Sequence, residues 1–226
     1  MAPKLSNPSK MPCFTWSLPA IVTCPGALDA SGALVPACSG CYAAGGRYNM
    51  PNVAAPRDHN LEDWKRDGWA DDMVALLDGE SFFRWFDSGD VYDPALAGKI
   101  LLVMLRTPNV RHWLPTRAYK DDRILPFLQR MAELPNVVVR YSSDGVNGER
   151  IAGATTSTIV QSRDDWKPGR GEVVCTSSDR GGKCGPCRAC WSPKVAVVSY
   201  VVHGHKVSAK EAAARIARRA EHIPTA

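Results

Sequence analysis

Eight cysteines fall into two groups, Cys13, Cys24, Cys38 and Cys41 near the start of the chain and Cys175, Cys184, Cys187 and Cys190 near the end, with none between them. Cys38 and Cys41 form a Cys-x2-Cys pair, and Cys184, Cys187 and Cys190 link two such steps, a spacing that lets thiolates share one metal centre. The second group places four thiolates within sixteen residues, with Gly181, Gly182 and Gly185 to allow the sharp turns that wrap backbone round a metal. Zinc would accept it as a tetrahedral site, and a four-iron cubane would accept it too. Consecutive Cys-x2-Cys steps resemble ferredoxin runs, whereas zinc ribbons use two separated knuckles, so the expectation leans to iron-sulfur, 4Fe-4S.

The first group is less regular. Cys24, Cys38 and Cys41 leave a metal or cubane one ligand short; the fourth position could be Cys13, Asp29, a cysteine of the other group or an exchangeable ligand. An open position is what a reactive centre needs. Cys13, between Pro12 and Phe14, reads instead as a buried free thiol. Disulfides are not expected: Met1 to Ser9 is polar with no apolar stretch behind it, so no secretion signal is read and the thiols should stay reduced. His203 and His205 share one side of the last strand and could add a ligand or carry a proton, while His59, His112 and His222 look structural or solvated. Signatures for phosphate loops, dinucleotide folds and nucleophile elbows are absent.

These groups need a scaffold, and 226 residues at 45% hydrophobic and 23% charged supply one globular domain. No apolar run reaches the roughly 18 residues of a spanning helix, so neither membrane insertion nor export is expected. The net charge of +5 is too small to argue nucleic acid. Between the groups, short apolar runs alternate with helical stretches. Asn60 reads as the cap of a helix over 61–77, SFFRWFD (81–87) as a strand, Asp93-Pro94 as the start of a helix to about Leu105, and VRHWLPT (110–116) as the next strand. A helix over 121–132 and the strand NVVVRY (136–141) repeat the cycle, with further strands at 158–160 and 195–202. The alternation predicts an α/β fold, a partial (β/α) barrel or parallel-sheet core over about 60–160, flanked by irregular cysteine-rich segments 13–41 and 175–190. Residues 161–182 read as a loop. Ser208 to Glu211 has capping-box spacing and opens a basic helix to about Glu221.

Polar residues gather where each strand ends, at the rim where parallel α/β folds bind ligands. Asp87, Asp90, Arg117, Arg140 and Asp144 are the candidate binding or acid/base groups. Ser88, Gly89, Ser142 and Ser143 are candidates for holding a cofactor or polar ligand. The alternative is plain turn chemistry.

Several segments together resemble the bacteriophage gene product 88 family: SLPA-x3-CP (17–25), the Cys-Tyr-Ala segment with its following Gly-x-Tyr (41–48), F-x-SGD-x-Y (86–92), PNVVVRYSSD (135–144) and C-x8-C-x2-C-x2-CW (175–191). The resemblance implies phage origin and residence in the host cytoplasm, without an activity to transfer. A weaker similarity to radical SAM enzymes, a three-cysteine segment followed by βα units, implies S-adenosylmethionine as a cofactor. The sequence departs from that pattern, since thirteen residues rather than three separate Cys24 from Cys38. Two functions follow. One is an iron-sulfur protein with redox or radical capacity, its cluster held by the seven cysteines and its rim binding a small polar ligand or serving a redox partner. The other is a zinc- or cluster-stapled binding protein that engages a host protein or, through its basic helix, nucleic acid.

Overall fold

The computed structural model describes residues 2–203 and 206–223, so His205 lies outside the described residues. Eight strands form one sheet in the order β1-β2-β3-β4-β5-β6-β8-β7. They are β1 (Leu5–Ser6), β2 (Thr15–Trp16), β3 (Phe82–Trp85), β4 (Arg111–Thr116), β5 (Val137–Ser142), β6 (Thr156–Val160), β7 (Glu172–Val174) and β8 (Val197–Val201). Every pairing is parallel except β1 with β2. The sheet is open, with β1 and β7 as its edges, so the parallel-sheet form of the expectation holds and the barrel form does not.

The helices are α1 (Pro36–Ser39), α2 (Pro51–Asp63), α3 (Trp69–Leu76), α4 (Pro94–Arg106), α5 (Leu125–Ala132) and α6 (Ala209–Arg219). Helix α4 starts as its sequence dictates: the Asp93 carboxylate accepts from Ala95 N–H at 2.7 Å and Pro94 takes the first helical position. The single helix expected over 61–77 is two. Helix α2 begins at Pro51 and ends at Asp63, and α3 begins only at Trp69. Lys99 holds the break open by donating to the carbonyls of Trp64 (2.9 Å) and Arg66 (2.6 Å), groups that a continuous helix would have used itself. Asn60 therefore sits inside α2, and its side chain ties the N-terminal segment down through Lys4 and the carbonyl of Ser17. The stretch 161–182 also differs from expectation, because β7 extends the sheet within it.

Period-two alternation divides the strands between two environments. Phe83, Trp85, His112, Leu114, Val137 and Val139 face α2 to α5 and form the main apolar core with them. Phe82, Trp113 and Arg140 face the other way, where the segments round Met11 to Cys13 and Cys184 to Trp191 cover the sheet. The second face is thus closed by irregular chain, and one cysteine group is built into that cover.

His112 shows how completely the core is sealed. It is fully buried and stacked on Trp85; its Nδ1 accepts from Trp85 Nε1–H (3.3 Å) and its Nε2 lies 2.9 Å from Thr107 Oγ1, whose hydroxyl donates to Val103 O. These partners fit the neutral ring with its proton on Nε2. Burial pushes its pKa down to about 4. Because the unfolded chain takes up the proton near pH 6.5 and the folded chain only near 4, stability is present above pH 6.5 and drains away as pH falls through that window. Between pH 7 and 5 the stability advantage of the wild type over His112→Phe is expected to shrink by about 2 kcal/mol. Urea unfolding of both proteins across that range measures it, and a constant difference would contradict it.

Candidate metal and ligand sites

At the carboxyl end of β3 the backbone is strained: Phe86 has φ +57° and, on the facing loop, Ile21 has φ +68°. Bulky residues adopt this region only where the surroundings enforce it. The enforcement is a network centred on Asp87. Its carboxylate accepts from Ser17 Oγ, from Arg57 Nη2 at 3.1 and 3.3 Å, and from Tyr48 OH at 3.1 Å, while its carbonyl accepts from Tyr42 OH at 2.8 Å. Ser88 Oγ donates to Leu18 O (2.7 Å) and accepts from Arg57 Nε (2.6 Å). Gly89 (φ +72°) is pressed against Leu18 and Thr23, where a Cβ would lie 2.7 Å from the Leu18 carbonyl. Asp87, Ser88 and Gly89, expected to face a ligand, instead bind the N-terminal segment to the sheet with their bonding capacity already used.

The cysteine trio stands beside the next residues of the same rim. Cys24 and Cys38 pack together against Ala27, Val35 and Leu34. Burial pushes the Cys24, Cys38 and Cys41 thiols up, and the negative charge each would carry disfavours ionisation of Cys24 further. Asp90 is buried near Cys24, with one carboxylate oxygen accepting from Arg117 N–H (2.7 Å) and the other from Val91 N–H (2.8 Å); burial pushes its carboxyl up to about 6. Arg117 directs Nη1 at Cys38 Sγ (3.6 Å), and its Nε and Nη2 donate to the carbonyl of Ser143 at 3.1 and 2.6 Å. Asp144 pairs with Arg117 (3.5 Å) and with Lys120, all three partly open to solvent. The hydroxyl of Ser143 donates to Thr158 Oγ1, and the carbonyl of Ser142 accepts from Tyr119 OH. Asp90, Arg117 and Asp144 therefore do share a rim with the trio.

Gly26 explains how the Cys24 turn comes so close. A Cβ there would lie 2.6 Å from both Cβ and the carbonyl oxygen of Arg117. Gly26→Ala is expected to cost about 1–3 kcal/mol by forcing the turn off the rim, measurable as a lower urea midpoint with an unchanged slope. Neither Asp29 nor Cys13 completes the trio. Asp29 caps its own turn through Ser31 N–H (2.8 Å) and Ala33 N–H (3.1 Å). Cys13 is buried on the second face with Met11, Trp113 and Trp191, where burial pushes its thiol up to about 12.

The quartet forms on that second face. Cys175 follows β7, its N–H donating to Ser199 O; Cys184 N–H donates to Lys10 O, and Cys187 N–H to Cys184 O. Gly181, Gly182 and Gly185, with φ of 59°, 80° and 55°, turn the chain so that all four thiols line one cavity of about 230 Å³, walled by Val173, Val198 and Trp191. Cys190 Sγ lies 3.2 Å from Tyr200 OH, and burial pushes that thiol up to about 11. Among the described residues no three His, Cys, Asp or Glu side chains converge tightly enough to hold a single metal ion. The cysteines instead surround a space.

Arg140 belongs to this second site and is the clearest departure from expectation. It is fully buried, and its guanidinium donates to the carbonyls of Cys190 (3.0 Å), Ala189 (3.0 Å), Ser192 (2.9 Å) and Val195 (2.9 Å). Position 140 faces away from the helices, so its side chain cannot join Asp90 and Arg117 at the rim. Its Nη1 has no protein partner. Tyr200, Arg57, the Tyr42–Tyr48 pair and Arg84, which donates to Tyr42 OH at 3.3 Å, were not anticipated from the sequence. Only Tyr200 carried a local signal, since in VVSYV it shares a strand face with Val198.

Helix α6 also differs in use from its sequence reading. Ser208 caps it as expected. Its arginines turn inward: Arg215 donates to Ala20 O and Asn49 Oδ1, Arg218 to Asp58, and Arg219 to the carbonyls of Cys24 and Pro25. These arginines, which the binding-protein alternative would give to nucleic acid, bond to neighbouring segments of the protein itself. His203 stacks on Tyr42.

Fold and sites together define an open, mostly parallel α/β protein that carries two separate cysteine clusters, one at its strand-end rim and one on its second face. Among the described residues no helix is long and apolar enough to cross a membrane. The family profile described as Gene product 88 matches residues 2–219, and the chain belongs to that family. No curated protein and no solved structure matches it.

Proposed function

We propose that this member of the phage gene product family is an iron-sulfur protein with redox capacity, working in the cytoplasm of the bacterial host. Cys175, Cys184, Cys187 and Cys190 hold a cluster, 4Fe-4S by their spacing. Cys24, Cys38 and Cys41 provide a second, three-thiolate centre with an open position beside Asp90, Arg117 and Asp144, which would receive a small polar ligand.

The observation that carries this reading is the pairing of four thiols round one cavity with a fully buried Arg140 that has no carboxylate partner. Four sulfurs on a zinc ion close to about 2.3 Å from the metal and leave little room, whereas about 230 Å³ suits a polyatomic group. A buried guanidinium without an anion is costly, and the negative charge of a thiolate-bound centre would offset it. Because burial pushes up the thiols of Cys24, Cys38, Cys41, Cys184 and Cys190, loading must release protons, so metal affinity rises with pH.

The proposal stops short of S-adenosylmethionine: the tight three-cysteine loop of radical SAM enzymes is replaced here by a trio spread over Cys24 to Cys41. Anaerobic purification tests the reading. A brown protein absorbing near roughly 400 nm, with iron and acid-labile sulfide, supports it. A colourless protein with stoichiometric zinc and no iron would overturn it in favour of a zinc-stapled binding protein.

A further inference from the structure

The mouth of the quartet cavity carries an unusual charge. From Arg180 to Lys194 the chain has Arg180, Lys183, Arg188 and Lys194 and no Asp or Glu, in a protein whose charges are otherwise near balance at 28 to 23. Arg180, Lys183, Lys194 and Cys187 are exposed. Lys10 joins them, since its carbonyl accepts from Cys184 N–H. Among the described residues these cations form no ion pair with a carboxylate, and the nearest acid in sequence, Asp179, is held by Arg163. Arg180 and Arg188 use part of their guanidinium groups to fix the lip itself, on the carbonyls of Lys183, Gly185 and Cys187.

Three of the four cysteines are partly or largely covered, and Cys187 alone is exposed. A centre held here would be most open at Cys187, and the loop that carries Cys187 is positively charged.

We propose that this lip docks an acidic protein electron carrier, which exchanges one electron with the cluster through its Cys187 edge. This rests on the iron-sulfur reading above. In the step the carrier's centre is oxidised by one electron as the cluster is reduced by one; no bond forms and no proton moves. Positive charge at the edge of a redox centre speeds encounter with a negative partner and orients it, and such transient redox complexes need only a small contact area. Arg180 lines the thiol cavity, and Lys183 and Arg188 adjoin Cys184 and Cys187 in the chain, so the cations form a collar along the one loop that carries the thiols and not a long stripe, which favours a protein carrier over nucleic acid.

The experiment uses the anaerobic holoprotein and an acidic [2Fe-2S] ferredoxin, mixed in stopped flow and followed in whichever direction electrons run. The second-order rate is expected to fall roughly tenfold between low salt and about 0.3 M salt. The Lys183→Glu, Lys194→Glu double variant, whose altered side chains hold no part of the lip, is expected to lose roughly tenfold at low salt. It should keep its iron content and its rate of reduction by dithionite. A ferredoxin rate indifferent to salt and to the charge reversal overturns the proposal. So does charge-dependent binding of an RNA or DNA oligonucleotide at the collar without any effect on the ferredoxin rate. Absence of iron overturns the iron-sulfur reading as well, whereas iron present with salt-indifferent transfer overturns the docking surface alone.

Discussion

Cys190→Ser is expected to empty the quartet site while the trio keeps its own centre, so that iron and sulfide fall without vanishing. Cys190 is partly buried, with its Sγ 3.2 Å from Tyr200 OH, and is carried on the turn that Arg140 holds. Serine is a poor ligand for a soft centre, so a cluster built on these four thiolates is expected to be lost when Cys190 is replaced. Because bound metal contributes to folding free energy, the variant should also be less stable than the wild type by several kcal/mol, an order-of-magnitude figure for a structural thiolate site. The triple variant of Cys24, Cys38 and Cys41 to Ser should give the complementary result, with the quartet's share of iron retained. Equal iron, sulfide and visible spectrum in wild type and Cys190→Ser would remove the quartet from the ligand set. Complete loss of iron in Cys190→Ser would mean that the trio holds no centre of its own.

The second large effect concerns Arg140. Arg140→Met keeps much of the side chain's volume but takes the donors away from four partly buried carbonyls. Hydrogen bonds from a charged donor are worth about 1.5–3 kcal/mol each, part of which is returned by relieving a buried charge. A net loss of about 4 kcal/mol is expected, read as a lower urea midpoint. Arg140→Lys should recover less than half, because a compact ammonium cannot reach carbonyls that a planar fork addresses in several directions. A Met variant within about 1 kcal/mol of the wild type would show that the carbonyls find other donors.

The elements that could be read from the sequence are those whose causes are local. Asp93-Pro94 starts α4 and a β-branched run makes β5, since capping and χ1 stiffness act within a few residues. Helix α2 was not legible because its composition is polar and Pro56 lies inside it, so neither periodicity nor the absence of breakers marked it. The cysteine groups were legible as groups because their spacing is local. The division of the polar rim was not. Asp87 is saturated by Ser17 and Arg57, 70 and 30 positions away, and Arg140 is claimed by carbonyls 49 to 55 positions further on. Nothing near position 140 in the sequence distinguishes a rim residue from one that braces the opposite face, except its parity along β5.

The arginines of α6 have a bearing on the order in which the protein is made. The turn of Cys24 and Pro25 emerges early in synthesis, yet the side chain that fastens it, Arg219, comes 195 residues later. No residue of α6 is fully buried, and its arginines supply the polar contacts of that closure. Until then the trio's loop lies on a rim whose outer wall does not exist. Contacts of such long sequence separation form late. A metal delivered while the chain is still growing would meet thiols that are open to water and to oxidation, and one delivered afterwards would meet a shielded site. On the iron-sulfur reading, the position of Arg219 places completion of the trio's site after translation and makes the C-terminal helix the part whose arrival seals it.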